Sequence, residues 1–225
     1  MSDYQILLAQ AAQHHGGEKA VLKKLGKPKS NKQLKTIPDD RILAEMAACI
    51  FRAGFIWRVV NNKWDGFEEV FKGFNPRWLA FQPPETLEQM AQDPRIIRNF
   101  SKVKAVYENA IFLLDIEKSH GGFGNFLSDW PNDDVVGLWL YLKKHGSRLG
   151  GNSGQYFLRF TGKDTFILSR DVCRVLHNKE IISKENPSSQ KDLKAAQAYF
   201  NELKAESGLG YTQLSQILAY STGPN

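Results

Sequence analysis

Cysteine is scarce in this sequence, which has only Cys49 and Cys173 among 225 residues. Small secreted domains that depend on disulfides carry a much denser set, so no disulfide framework is implied and a reducing compartment is the simpler interpretation. Long apolar runs are missing too, since none approaches the roughly 20 residues that a membrane helix needs. The N-terminus lacks the basic region of a secretory signal, so we do not expect a signal peptide. We therefore expect a soluble protein of the cell interior with no membrane partner.

Strand patterns are nearly absent, because only Thr165–Leu168 looks locally extended. Apolar residues recur instead at helical spacing, and Gly16-Gly17 and Gly121-Gly122 interrupt the pattern. Asp39 or Asp40 is positioned to cap the helix that follows it. The sequence predicts an all-α protein of about ten helices, with no repeats. The predicted helical segments are 4–25 with one break, 39–60, 64–74, 85–92, 102–114, 123–127, 133–145, 153–160, 171–176, 189–207 and 211–220.

Basic residues exceed acidic ones, giving a net charge of +6 and a sequence pI of about 9.2. A basic surplus favours a polyanionic partner such as nucleic acid. Residues 26–38 form a polar connector with four lysines, which face either water or phosphate groups. The surplus makes nucleic acid a candidate partner but does not identify it.

Glycines cluster after a predicted helix that ends near His145-Gly146. A tight hairpin over Leu149–Gly154 and a second helix are expected to follow. Backbone N–H groups at such a hairpin and helix start have no intrahelical acceptors, so they can cradle a phosphate. Glycine lets the backbone approach that phosphate closely. We predict DNA contacts from Gly150, Gly151, Asn152, Ser153, Gly154 and Gln155; the alternative is an ordinary turn.

The hairpin and the aspartate that follows it, Asp171, resemble the helix-hairpin-helix signature of base-excision DNA glycosylases (the HhH-GPD superfamily). Gly150 replaces the usual proline of that signature. A second resemblance, to the 3-methyladenine DNA glycosylase I group, rests on Ala53–Trp57, Phe71–Pro76 and Arg95–Ala110.

This resemblance implies a two-lobed helix-hairpin-helix fold with a cleft between the lobes. The expected fold is one bilobal domain over residues 1–225. Residues 39–145 would be the central helical lobe, 146–176 the hairpin and catalytic loop, and 1–38 and 177–225 the flanking helices.

The resemblance also assigns roles to individual residues. Asp171 falls where the family has its catalytic aspartate, although it could instead cap a helix beginning at Val172. Trp57 is placed at the base pocket, with a core position as its alternative. Cys49 falls near the family's base-reading glutamate, so we place it in the pocket with Tyr107, for which a core position is the other reading. Lys102 and Lys104 are predicted on an exposed helix face, where they contact either DNA or solvent.

No cofactor is expected, because the zinc pattern of the group is missing. There is no N-terminal cysteine, and Val172 follows Asp171. Cys173 and His177 lie one turn apart, a spacing that suits zinc, but two further ligands are not evident beyond His14 or His15. A monovalent cation bound at the hairpin is the remaining alternative.

The resemblance implies a monofunctional base-excision glycosylase that flips a damaged base, an alkylated purine, out of double-stranded DNA and hydrolyses its N-glycosidic bond. The lysine of bifunctional members aligns with Gln155, so strand cleavage is not expected. We expect a monomer in the bacterial cytoplasm or otherwise inside the cell with DNA. The alternatives are a non-catalytic DNA-binding helix-hairpin-helix module and a small-molecule hydrolase, for which no motif is seen.

Overall fold

The computed structural model describes residues 1–223 and contains no strand in that range. The all-α prediction is confirmed, and Thr165–Leu168 belongs to a non-helical connection. Fifteen α-helices occur in these residues: α1 Asp3–His15, α2 Glu18–Lys24, α3 Asn31–Lys35, α4 Asp39–Arg52, α5 Trp57–Asn61, α6 Trp64–Val70, α7 Pro76–Ala80, α8 Pro84–Gln92, α9 Phe100–His120, α10 Phe123–Asp129, α11 Val135–His145, α12 Asn152–Thr161, α13 Arg170–Asn178, α14 Gln190–Ser207 and α15 Tyr211–Ser221.

The chain divides into two compact units. The first consists of Met1–Lys29, Pro131–Leu138 and the chain from Gly162 onward, and the second of Ser30–Trp130 and Trp139–Thr161. The segment 146–176, predicted as one piece, is thus divided after Thr161.

The first unit is built around α1, which packs along α2 and α15. The side chain of Ser2 accepts a hydrogen bond from the Gln5 N–H, and the Gln5 side chain accepts one from the Ser2 N–H. This capping box starts α1 where the apolar pattern begins. Phe166 stacks on Phe200 in the core, with ring centroids 4.2 Å apart.

The second unit is built around α4 and α9, which pack on each other and on α7, α10 and α12. Phe51, Phe67, Phe71 and Phe74 are fully buried, and the rings of Phe67 and Phe71 stack nearly parallel, 6.2 Å apart and 5° from coplanar. Phe51, near the C-terminal end of α4, contacts the rings of Phe67 and Phe71 edge to face, which fixes that end of the helix in the core.

Several predicted elements differ from the structure in the same region. The predicted helix over 39–60 is interrupted, because α4 ends at Arg52 and Gly54 takes a left-handed conformation with φ of 76° before α5 begins at Trp57. The connector 26–38 contains the short helix α3, which Ser30 and Gln33 start with a capping box.

Neither Asp39 nor Asp40 caps α4, since Pro38 occupies the N-cap. The Asp39 carboxylate instead accepts a hydrogen bond of 2.9 Å from the Phe123 N–H, at the start of α10. Burial raises the pKa of Asp39. In the described residues, no helix has both the length and the apolar character to cross a membrane.

Candidate functional site

A cavity of about 270 Å³ lies in the second unit, where the end of α4 and the start of α5 meet α12. It brings together four residues that the sequence analysis singled out separately: Cys49, Trp57, Asn152 and Ser153. Trp57 is 44% exposed, so it is not a core residue. The remaining lining residues are Arg52, Ala53, Gly54, Phe55, Tyr156 and Phe160.

Three aromatic rings shape one wall of this cavity. Trp57 meets Tyr156 edge to face at 5.6 Å and Phe160 at 5.8 Å. Tyr156 and Phe160 lie one turn apart on α12 and stack at 5.7 Å. Flat aromatic faces in a half-open cavity suit a planar ring such as a nucleobase. Tyr156 and Phe160 were not predicted from the sequence, although their spacing on an amphipathic helix was visible.

Cys49 contributes a neutral thiol to the cavity. Burial raises the pKa of this thiol, and the nearby Glu45 carboxylate raises it further. The side chain is only 5% exposed, and its Sγ lies 3.9 Å from Glu45 Oε1. Cys49 therefore adds a small apolar surface and no charge.

Lys102 does not lie on an exposed helix face, and that prediction is wrong. Its side chain is buried, and Nζ donates hydrogen bonds to the carbonyls of Phe51 at 3.1 Å and Ala53 at 2.7 Å. Nζ also lies 4.4 Å from the centre of the Phe55 ring. Burial lowers the pKa of Lys102, and the charge of Arg148 lowers it further. Lys102 thus holds the C-terminal end of α4, which lines the cavity, instead of facing a phosphate.

The hairpin between α11 and α12 follows the predicted shape. Arg148 and Gly151 have positive φ angles of 57° and 56°. A Cβ on Gly154 would lie 2.3 Å from the carbonyl oxygen of Leu149, so only glycine fits there. Helix α12 begins at Asn152, within the predicted turn, and its first N–H groups have no intrahelical acceptors.

The hairpin residues differ in their access to a ligand. Asn152 is exposed and Ser153 partly exposed, whereas Gly154 and Gln155 are buried. The Gln155 side chain therefore presents no group to DNA, which corrects its prediction as a contact residue. Arg148 is exposed on the same hairpin and was missed, because its position depends on the backbone conformation of the turn.

Asp171 lies in the first unit, as the second residue of α13. The helix starts at Arg170, and the Ser169 side chain caps it by accepting a hydrogen bond of 3.3 Å from the Val172 N–H. The capping role considered for Asp171 is therefore filled by Ser169. Asp171 is partly exposed. On the same helix, Cys173 is buried and His177 Nδ1 lies 3.2 Å from the Ile182 carbonyl oxygen.

The middle of the chain matches a known family. Residues 35–143 match the model of the methyladenine glycosylase family. Over 81 residues the chain is 31% identical to DNA-3-methyladenine glycosylase 1 of Escherichia coli (strain K12). This aligned stretch covers 36% of this chain and 43% of that protein. The chain thus spans less than half the length of this curated relative. The range matched by the family model, residues 35–143, contains α4, Trp57 and Lys102 but ends before the hairpin and Asp171.

Solved structures extend the similarity. A variant of 3-methyladenine DNA glycosylase I from Staphylococcus aureus superposes with a TM-score of 0.51 and 24% identity, covering 61% of this chain and 81% of that one. The 8-oxoguanine DNA glycosylase of Methanocaldococcus jannaschii superposes with a TM-score of 0.59 and 17% identity, covering 96% of this chain and 93% of that one. The chain has the fold of the DNA glycosylases. At these identities the similarity concerns the glycosylase fold and not the substrate.

Two further residues of the glycosylase fold change the assignments made from sequence. Tyr107 does not line the cavity, which corrects its placement in the base pocket; it is half-buried on α9. Asn109 was missed: it is fully buried, and its amide accepts a hydrogen bond of 2.9 Å from the Ser147 N–H and donates one of 3.0 Å to the Ser147 carbonyl. One side chain of α9 thus satisfies both backbone groups at the entrance to the hairpin. A polar residue inside an apolar helix pattern was the available signal.

Asn109→Ala is expected to lower the free energy of unfolding by about 2 kcal/mol, because two backbone groups lose their partner in a buried site. Denaturant titration measures this change. Glu108→Gln is the control, because the Glu108 carboxylate accepts the Ser147 hydroxyl at 2.6 Å and forms an ion pair with Lys104 at 3.7 Å, and it is 43% exposed. Equal stability of Asn109→Ala and the unmodified protein would contradict the role given to Asn109.

Proposed function

We propose that this protein is a monofunctional DNA glycosylase, which flips a damaged base out of double-stranded DNA and hydrolyses its N-glycosidic bond. One observation carries the proposal. The cavity that holds the aromatic side chain of Trp57 also contains the first residues of α12, Asn152 and Ser153. A base in the cavity and a phosphate at the helix start would then belong to the same stretch of DNA. The relatives' names supply the expectation that the base is an alkylated purine.

Each part of the proposed site has a defined physical task. The first N–H groups of α12, which lack intrahelical acceptors, and the cation of Arg148 on the same hairpin favour an anionic phosphate. The rings of Trp57 and Tyr156 offer surfaces on which the flipped base stacks, offsetting a cost on the order of a few kcal/mol for unstacking it.

The chemical step is assigned to the carboxylate of Asp171. Cleavage of the C1′–N bond develops oxocarbenium character on the sugar, as in glycoside hydrolysis. A carboxylate near that sugar stabilises the positive charge or removes a proton from the attacking water. In the described residues no lysine lines the cavity, and we propose base removal without strand cleavage.

The proposal is tested by incubating the protein with duplex DNA that carries alkylated or deaminated bases and measuring free base and abasic sites. We expect free base to appear while the strand remains intact until alkali is added. Salt-dependent DNA binding without any abasic product would instead indicate a non-catalytic DNA-binding module. Strand cleavage without alkali would contradict the monofunctional assignment.

Trp57→Ala is expected to lower the rate of base release about tenfold or more, because stacking on one aromatic side chain contributes roughly 1–3 kcal/mol. Single-turnover rates on one damaged duplex measure the effect. Trp57→Phe is the matched control and should keep most of the rate, since it keeps an aromatic face. If both variants act at the rate of the unmodified protein, Trp57 does not hold the base.

A further inference from the structure

Helix α13 has two arginines beside Asp171 on its exposed side. The apolar side of the helix is buried, whereas Arg170 is exposed and Asp171 and Arg174 are partly exposed. Residues three or four positions apart on a helix are neighbours, with about 5–6 Å between their Cβ atoms. Arg174 follows Asp171 by three positions and Arg170 by four, so the three side chains share one face of α13. Two guanidinium groups against one carboxylate leave that face with a net positive charge.

These two guanidinium groups are not neutralised within the protein. In residues 1–223, no hydrogen bond and no ion pair involves Arg170 or Arg174. Other arginines are paired with carboxylates: the closest contacts of Arg41, Arg77 and Arg95 are 2.7, 2.6 and 2.7 Å. A guanidinium without a carboxylate keeps its N–H donors for an external anion, and their fork geometry matches a phosphate group.

Arg174 also lines a second cavity, of about 580 Å³, where α13 meets α1 in the first unit. Among the described residues, no aspartate or glutamate lines this cavity. The lining includes three amide side chains whose NH2 groups are hydrogen-bond donors, those of Gln10, Gln13 and Asn178. Lys179 lines it as well, but its ammonium group is paired with the Asp3 carboxylate at 2.5 Å. The cavity therefore offers an anion the charge of Arg174 and several neutral donors, with no carboxylate in the lining to repel it.

We propose that this second cavity holds a phosphate group of the DNA backbone next to the damaged nucleotide, and that Arg174 binds it. The inference rests on the proposed glycosylase function, because it takes the Asp171 carboxylate to face the sugar of that nucleotide. Each sugar of a strand is joined to two phosphates, so a cation one helical turn from the carboxylate lies close to one of them. The contact also offsets the repulsion between Asp171 and the DNA backbone. A phosphate contact of this kind fixes the register of the protein on the duplex and is independent of base sequence.

The test measures binding of the full chain to duplexes that contain one tetrahydrofuran abasic analogue. In each duplex a different phosphate near the analogue is replaced by an uncharged methylphosphonate, and fluorescence anisotropy gives the affinity. We expect one replacement next to the analogue to weaken binding of the unmodified protein about tenfold. Arg174→Gln should bind the all-phosphate duplex about tenfold more weakly, with a salt slope reduced by about 1, and should lose nothing further at that linkage.

Lys194→Gln is the matched control, because Lys194 is exposed on α14 in the same unit, outside the cavity lining, and also carries one positive charge. It should keep the affinity of the unmodified protein and its sensitivity to the neutral linkage. Base release from methylated DNA is measured in parallel. At saturating protein, Arg174→Gln should release base within about twofold of the unmodified rate, because the phosphate contact acts on binding and not on the chemical step.

The outcomes separate this inference from the proposed function. If Arg174→Gln loses the same further affinity at every neutral linkage as the unmodified protein, Arg174 binds no phosphate there and the inference is overturned. A weaker affinity with no dependence on the position of the linkage also overturns it, since that reports only the overall charge. A position-dependent loss without any base release supports the phosphate contact and refutes the glycosylase assignment. If Arg174→Gln fails to fold, Arg174→Lys keeps the charge without the fork geometry and should bind with an intermediate affinity and an unchanged salt slope.

Discussion

Asp171→Asn is expected to lower the rate of base release about a hundredfold or more, with little change in DNA affinity. The amide keeps the size of the side chain but lacks the negative charge, so it neither stabilises an oxocarbenium-like sugar nor accepts a proton from water. Removing a group that acts only in the transition state typically costs a factor of about 10² to 10⁴. Single-turnover base release measures the rate, and fluorescence anisotropy with a labelled duplex measures the affinity.

Asp164→Asn is the matched control for Asp171→Asn, since Asp164 lies in the connection before α13 and Asp171 in the first turn of that helix. The Asp164 carboxylate accepts hydrogen bonds from the N–H groups of Tyr211 at 3.1 Å and Thr212 at 2.9 Å, at the start of α15. The two bonds use different carboxylate oxygens, and asparagine offers one acceptor oxygen, so the variant keeps one bond, loses one charge and should keep its activity. Equal rate losses in the two variants would remove the catalytic assignment from Asp171, as would full activity of Asp171→Asn.

Lys102→Met is expected to lower the free energy of unfolding by about 3 kcal/mol and to reduce base release as well. Methionine fills the space of the alkyl chain but leaves the carbonyls of Phe51 and Ala53 without their donor. Hydrogen bonds to a charged group contribute roughly 1.5–3 kcal/mol each, and buried groups without a partner cost a similar amount. The same carbonyls lie at the end of α4 beside the cavity, so the residues that line the cavity should become less well ordered. Denaturant titration and base-release rates measure the two effects.

Lys104→Met is the control for Lys102→Met. Lys104 is 57% exposed and lies 3.7 Å from Glu108 Oε1, an ion pair of a kind that contributes about 0–1 kcal/mol. We therefore expect a small change in stability and an intact cavity. If the two lysine variants unfold at the same denaturant concentration, the two carbonyl contacts of Lys102 do not stabilise the fold.

Local patterns in the sequence predicted the parts of this protein that depend on neighbouring residues. Helical periodicity predicted the all-α class, and the glycines after His145 predicted the turn before α12, because helix propensity and positive φ angles are properties of short segments. Trp57 was placed at a pocket through resemblance, and it does line the cavity. Asp171 as the catalytic residue remains a prediction.

The sequence by itself determined the helical class, the hairpin turn and the excess of basic charge, which do not depend on how the helices pack. Only the tertiary structure decided that Lys102 is buried against the end of α4, that Asn109 holds the backbone of Ser147, and that Arg52 faces Trp57 and Phe160 in one cavity. These contacts join residues far apart in sequence, or depend on a turn that reverses the chain. Which side chains are buried at such positions, and which groups they contact, follows from how whole helices pack. The spacing of apolar residues along one helix does not specify that packing.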